Sequence, residues 1–175
     1  LAKFNPAGQL QWLNTLRAGL VLPYDVEVNN IDEVVVIGDF LGTLQYTDAS
    51  GINSISNPYT KQIFVLKTNN NGIYQWNQTL GSDNAVSARA VAVDNAKDIY
   101  ITGYFSCGWS ELRTTQSAIF NSVGDKDSYL WKVGNNGSSL FVKQLGGKKN
   151  DIGHGVAIRS SIDPIVCGSY TDDLN

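Results

Sequence analysis

Short runs of alternating apolar and polar residues, punctuated by Asn, Asp and Gly, recur along the whole chain. Ala90–Asp94 alternates small and branched side chains, and Asp98–Phe105 (DIYITGYF) follows directly after Asn95-Ala96-Lys97. That pattern, rich in β-branched and aromatic residues, predicts a β-hairpin. Tyr129–Lys132 and Ser139–Leu145 predict a second hairpin, joined by Asn135-Asn136-Gly137. Asn-Gly tolerates the positive φ angles of tight turns, which gives this turn a mechanism. Asn70-Asn71-Gly72 and Pro6-Ala7-Gly8 are its equivalents elsewhere. No segment carries a sustained helical apolar period, so helix is expected to be scarce.

The pattern returns at a fixed spacing. Val65-Leu66-Lys67 and Leu130-Trp131-Lys132 stand sixty-five residues apart, as do Gly72 and Gly137, Trp76 and Phe141, and Leu80 and Leu145. Val91-Ala92-Val93 matches Val156-Ala157-Ile158, and Gly103-Tyr104-Phe105 matches Gly168-Ser169-Tyr170. Val26-Glu27-Val28 and Gly38-Asp39-Phe40 precede their partners by the same interval. Lys3, Gly8, Trp12 and Leu16 precede Lys67, Gly72, Trp76 and Leu80 by one residue less, which places one insertion or deletion between 16 and 26. The chain is a tandem repeat.

Each unit reads as four short strands, and tandem four-stranded units are the signature of β-propeller blades. The expected fold is therefore all-β, built from blades of four antiparallel strands. Residues 1–16 supply the outer strands of one blade, 25–80 and 90–145 two full blades, and 155–175 the inner strands of the next. Head and tail then amount to one composite blade, three in all, whereas closed propellers carry roughly four to eight. The expectation is a partial propeller, completed by further blades of the same polypeptide or by another copy, since open strand edges invite association. Gly38, Gly103 and Gly168 recur inside a strand pattern, which predicts a bulge or a close approach of neighbouring backbone. The aromatics Phe40, Phe105 and Tyr170, and Trp12, Trp76 and Phe141, read as packing between sheets. Two long connections, 41–62 and 106–127, show no element of their own, and such loops are often functional.

The phrases ARAVAVDNAKDIYITGYF, DSYLWKVGNNG and LGGKKNDIGHGVAI resemble the bacterial β-propeller repeats called SBBP repeats. The resemblance covers essentially the whole chain. The first copy departs from it at Val26-Glu27-Val28-Asn29 and the last at Arg159-Ser160, which affects turn geometry more than fold. It implies a secreted or cell-surface protein serving adhesion, assembly or ligand display.

Composition narrows the function. The chain has 175 residues, 42% hydrophobic and 17% charged, which argues against disorder. No apolar run approaches the ~20 residues of a membrane-spanning helix. Thirteen Lys and Arg stand against 16 Asp and Glu, a net charge of -3, so no basic footprint for nucleic acid exists. The absence of methionine leads to the expectation of a piece of a longer or processed product. Cys107 and Cys167 lack any zinc-ligand spacing and make no disulfide scaffold.

Catalytic chemistry finds little support. The single histidine, His154, occupies a position held by Tyr24 and Arg89 in the other copies, which reads as a variable loop site and not a general base. Asp125-Lys126-Asp127 and Asp172-Asp173 read as solvated turns before they read as a weak calcium site. Gly146-Gly147-Lys148-Lys149 is no phosphate loop. Asn77-Gln78-Thr79 and Asn136-Gly137-Ser138 match the glycosylation sequon. No cofactor and no enzymatic activity are expected.

Binding residues concentrate on loops held by a rigid scaffold, which points to Tyr46 and Tyr59 in one long connection and Trp109 and Phe120 in the other, while the reading favoured for both connections is that they fold back and cap the blade edge. The reading is a non-catalytic scaffold or protein-interaction propeller segment. A second reading is a carbohydrate- or small-ligand-binding propeller that uses those aromatics. A third, weaker on the residues present, is a propeller hydrolase or lyase.

Overall fold

A computed structural model describes residues 1–56, 61–82, 85–106, 122–159 and 163–171. Among the described residues there are fifteen strands and no helix. In chain order these are β1 (Ala2–Phe4), β2 (Leu10–Leu13), β3 (Thr15–Arg17), β4 (Leu20–Val28), β5 (Val34–Leu41), β6 (Leu44–Asp48), β7 (Gly51–Ile55) and β8 (Lys61–Thr68). They continue with β9 (Tyr74–Ser82), β10 (Val86–Val93), β11 (Ile99–Ser106), β12 (Lys126–Val133), β13 (Ser139–Leu145), β14 (Asp151–Arg159) and β15 (Asp163–Tyr170). Two four-stranded antiparallel meanders, β4-β5-β8-β9 and β10-β11-β12-β13, form the body. A hairpin β1-β2 precedes them, a hairpin β14-β15 follows, and β3-β6-β7 makes a small third kind of sheet.

β5 is covered on both faces, which is why it opens with the apolar run Val34–Ile37 instead of an alternating pattern. Val35, Ile37, Ile63 and Val65 face the second meander and join Val91, Ile99, Ile101, Tyr129 and Trp131 in one core. The alternate residues Val34, Val36, Phe64 and Leu66 face the other way and close a second core with Phe40, Leu44, Tyr46 and Ile55. Trp12, Leu16 and Tyr74 pack against that second core.

The connection 41–62 is not without structure. It contains β6 and β7, which pair with each other and, through β6, with β3. The alternation that drives this hairpin is short: Leu44 and Tyr46 are buried, with Gln45 exposed between them. Tyr46 locks it down, its hydroxyl accepting from Asn14 Nδ2 at 2.6 Å and donating to the Gly72 carbonyl at 2.7 Å. Burial pushes the Tyr46 phenol up to about 12, against the opposing bond from Asn14, so it stays a donor at any physiological pH. In the other long connection, residues 107–121 lie outside the described residues.

Neighbouring sheets are clasped at the same points in successive copies. Trp12 Nε1 and Lys3 Nζ donate to the Asn70 carbonyl at 3.1 and 3.2 Å. One repeat later, Trp76 Nε1 donates to the Asn135 carbonyl at 3.1 Å, and Lys67 Nζ reaches the same residue. The turn glycines Gly72 and Gly137 carry φ of 75° and 85°, and a Cβ on either would press into the indole of Trp12 or Trp76. The tryptophans therefore do more than fill space. A Trp76→Phe variant keeps most of the apolar contact and loses one inter-sheet hydrogen bond, so a destabilisation of about 1 kcal/mol in urea unfolding is expected.

The lysine that recurs in the third strand of each meander pairs with the start of the second. Lys67 Nζ lies 2.7 Å from Glu33 Oε2, and Lys132 Nζ lies 2.9 Å from Asp98 Oδ2. Burial raises the Glu33 carboxyl, but hydrogen bonds from Lys67 and Asn29 and the Lys67 charge outweigh it and hold the group below its ordinary value. Asp48 is lowered in the same net sense, with burial opposed by bonds from Ser50 and the Tyr74 backbone N–H. A carboxyl lowered on folding stabilises above its unfolded pKa, and that stability disappears as pH falls through the folded value. Urea midpoints are therefore expected to be level near neutrality and to drop below about pH 4, with a smaller drop in Glu33→Gln.

Candidate interaction surface

In the three hairpins β4-β5, β10-β11 and β14-β15 the pairing slips by one residue at the same place. Pro23 pairs with Gly38 and Asp25 with Ile37; Ala88 pairs with Gly103 and Ala90 with Thr102; Gly153 pairs with Gly168 and Gly155 with Cys167. The residues left over are Tyr24, Arg89 and His154. The bulge also explains the repeated glycine opposite it. A Cβ on Gly38 would stand 2.3 Å from the Leu22 carbonyl oxygen, on Gly103 2.0 Å from that of Ser87, and on Gly168 2.2 Å from that of Ile152. Only glycine admits such an approach.

This corrects the sequence reading of position 154 as a loop site. Tyr24, Arg89 and His154 lie within β4, β10 and β14. The inner strands also begin at Leu20, Val86 and Asp151, before the bulge, earlier than alternation alone predicts. An extra residue reverses the inside–outside phase, so the segment on its far side looks out of step.

Bulges re-aim side chains, and here they bring variable residues together. The Arg89 guanidinium lies 5.0 Å from the Tyr24 ring of the preceding sheet and 5.4 Å from the Tyr104 ring of its own. Lys126 Nζ lies 4.8 Å from the same Tyr104 ring. The result is a ladder of Tyr24, Arg89, Tyr104 and Lys126 running across two sheets, with Tyr24 exposed and the rest half-buried. In the last hairpin His154 Nε2 lies 3.0 Å from Ser169 Oγ, both exposed. In the first, the position of Tyr104 is taken by Asp39, which is turned inward.

The residues singled out from sequence fall elsewhere. Tyr46 is fully buried, as described above, and presents no ring to solvent. Tyr59, Trp109 and Phe120 lie outside the described residues, as do Cys107 and Asp172-Asp173. Asp127 is buried and accepts from the backbone N–H groups of Val123 and Gly124 and from Gln144, so it serves its own turn and not a cation. Cys167 is a free, exposed thiol. Among the described residues no group of three or more His, Cys, Asp or Glu is placed to hold a metal ion.

A second surface lies at the head of the chain. An apolar cleft of about 320 Å³ opens between the β1-β2 hairpin and β4, lined by Phe4, Trp12, Val26, Val28 and Val34. Val26 is 49% exposed there, while its equivalent Val91 is 4% exposed because the first meander covers it.

No protein family's profile matches the chain. It is similar to the uncharacterized WD repeat-containing protein L264 of Acanthamoeba polyphaga mimivirus, with 24% identity over 139 residues, 74% of this chain. The match spans 9% of the length of that viral protein.

Proposed function

We propose that this chain is a non-catalytic β-propeller segment acting as a protein-interaction scaffold within a larger protein. The observation that supports it best is the unequal fate of one surface. The face of β10 that carries Val91 is closed by the meander before it, whereas the same face of β4, carrying Val26 and Val28, stands open beside the cleft. A further hairpin of the same kind would cover that face of β4 as the first meander covers β10, and units that each cover the next make a ring once enough are present. The likeness to a WD repeat-containing protein agrees with this reading, since WD repeats are propeller blades. The repeats are of SBBP type in this proposal, and the resemblance carries with it a secreted or cell-surface location. The function is to hold variable side chains at fixed positions on a stiff disc.

Electron microscopy of the natural full-length protein tests the architecture. Sheets arranged radially about a central axis are expected. Copies stacked along a line would overturn the proposal.

A further inference from the structure

We propose that the ladder of Tyr24, Arg89, Tyr104 and Lys126 is a docking site for a carboxylate-rich peptide segment of a partner protein. The inference deepens the scaffold reading by naming the chemistry of the partner. Three features support it.

The first is electrostatic. Lys61, Lys67 and Lys132 each have a carboxylate at 2.7–2.9 Å. Among the described residues, Arg89 and Lys126 have none and are held by tyrosine rings instead. The nearby acids are occupied. Asp25 accepts from the backbone N–H groups of Val26 and Val91, and Asp39 from Ser87, Ala88 and Lys61. Asp125, beside Lys126, is exposed.

The second is preorganisation. A guanidinium stacked on aromatic rings keeps its charge and its planar fork of donors while losing rotamer freedom before any ligand arrives. Such a fork matches a carboxylate bidentately, and Lys126 adds a point charge beside it. The third is position. Both the bulge site and a site near it on the adjacent, paired strand change identity in every copy: Tyr24 with Asp39, Arg89 with Tyr104, His154 with Ser169. The scaffold is held constant while these contact residues differ, which is how one sheet is given a specificity that its neighbours lack. A nucleic-acid partner fits less well, because the chain carries a net charge of -3 and the ring of Tyr104 is already engaged by two cations.

The test is fluorescence anisotropy at low ionic strength, with fluorescein-labelled hexaglutamate as the probe and labelled hexaglutamine as its uncharged control. The intact chain is expected to prefer hexaglutamate by about tenfold or more, and the Arg89→Gln/Lys126→Gln double variant to lose that preference. Added salt should weaken hexaglutamate binding. Arg89→Lys, which keeps charge and loses the fork, should fall between the two, and Asp125→Asn should bind no more weakly than the parent. Equal binding of both peptides, or a folded double variant that binds as tightly as the parent, would overturn the proposal. Should the double variant not fold by thermal unfolding, Lys126→Gln alone carries the test, with a loss of about threefold expected and no loss overturning it. The ladder spans two adjacent sheets, so binding can fail while the ring is seen by microscopy, and the reverse.

Discussion

Gly103→Ala is expected to destabilise the protein by about 3 kcal/mol or more, a large share of the ~5–15 kcal/mol that holds an ordinary domain together. The added methyl would sit 2.0 Å from the Ser87 carbonyl oxygen and 2.8 Å from the Tyr129 hydroxyl. Neither neighbour can give way cheaply. Ser87 is backbone within β10, and the Tyr129 hydroxyl donates to that same carbonyl at 3.1 Å. Tyr129 is fully buried, and burial, reinforced by the Asp39 charge, raises its pKa well above the ordinary phenol value, so the bond is that of a neutral donor. Relief requires the inner pair of strands to separate at the bulge, which also moves Arg89. Gly8→Ala is the control: that glycine has φ of 76° and nothing within 4 Å of a built Cβ. It should cost only about 1 kcal/mol, from backbone conformation alone. Urea midpoints for the two variants separate the clash from the conformational cost. Near-equal midpoints would mean that the bulge relaxes freely and does not fix the strand spacing.

The repeat was legible because each copy meets the same physical demands. Gly38 and Gly103 are retained because a carbonyl leaves no room for a Cβ, and Lys67 and Lys132 because each faces a carboxylate one strand away. Such demands write themselves into sequence at the period of the unit. A feature whose sequence does not recur leaves no such mark. The β6-β7 hairpin lies in a connection whose sequence differs sharply from that of its counterpart, and its burial signal is confined to Leu44, Tyr46 and Ile55. Three residues among polar neighbours are too few to establish a period. The glycines predict the bulge, but the reversal of phase behind it hides the first residues of β4, β10 and β14 from alternation.

The candidate surface was hidden for a related reason. Tyr24, Arg89, Tyr104 and Lys126 come from separate strands of two units, and no local spacing joins them. One signal was present in the sequence: positions 24, 89 and 154, and 39, 104 and 169, change identity amid conserved-looking strand residues of the same chain. Aromatic residues in the long connections point elsewhere, and of these Tyr46 is committed to the core. Variation between copies at fixed scaffold positions is the better guide in a repeat protein, because packing has already spent its constraint on the invariant sites.

Asp39→Ala is expected to cost about 3–5 kcal/mol, because it removes a buried carboxylate that takes two hydrogen bonds across the seam between the meanders and an ion pair within the first. The Asp39 carboxylate is fully buried and accepts from the Ala88 backbone N–H at 3.0 Å and the Ser87 hydroxyl at 2.8 Å. Its second oxygen also lies 2.9 Å from Lys61 Nζ. Alanine leaves all three donors without that acceptor, and a buried unsatisfied donor is more costly than the net worth of its bond. Ser87 and Ala88 belong to β10, so the loss of their two bonds falls on the seam between sheets. Asp39→Asn keeps an acceptor oxygen toward Ala88 and loses the ion pair with the partly exposed Lys61, so it should cost less than half as much. The second copy offers a further comparison, because Tyr104 replaces this acid and, among the described residues, no carboxylate staples β11 to β14. The seam between the second meander and the last hairpin should therefore open first, and hydrogen exchange should show β14 and β15 less protected than β10 and β11. Asp39→Ala should bring the protection of β10 down toward that of β14. Unchanged protection in β10 would mean that the apolar core of Val35, Ile37 and Val91 holds the seam without the carboxylate.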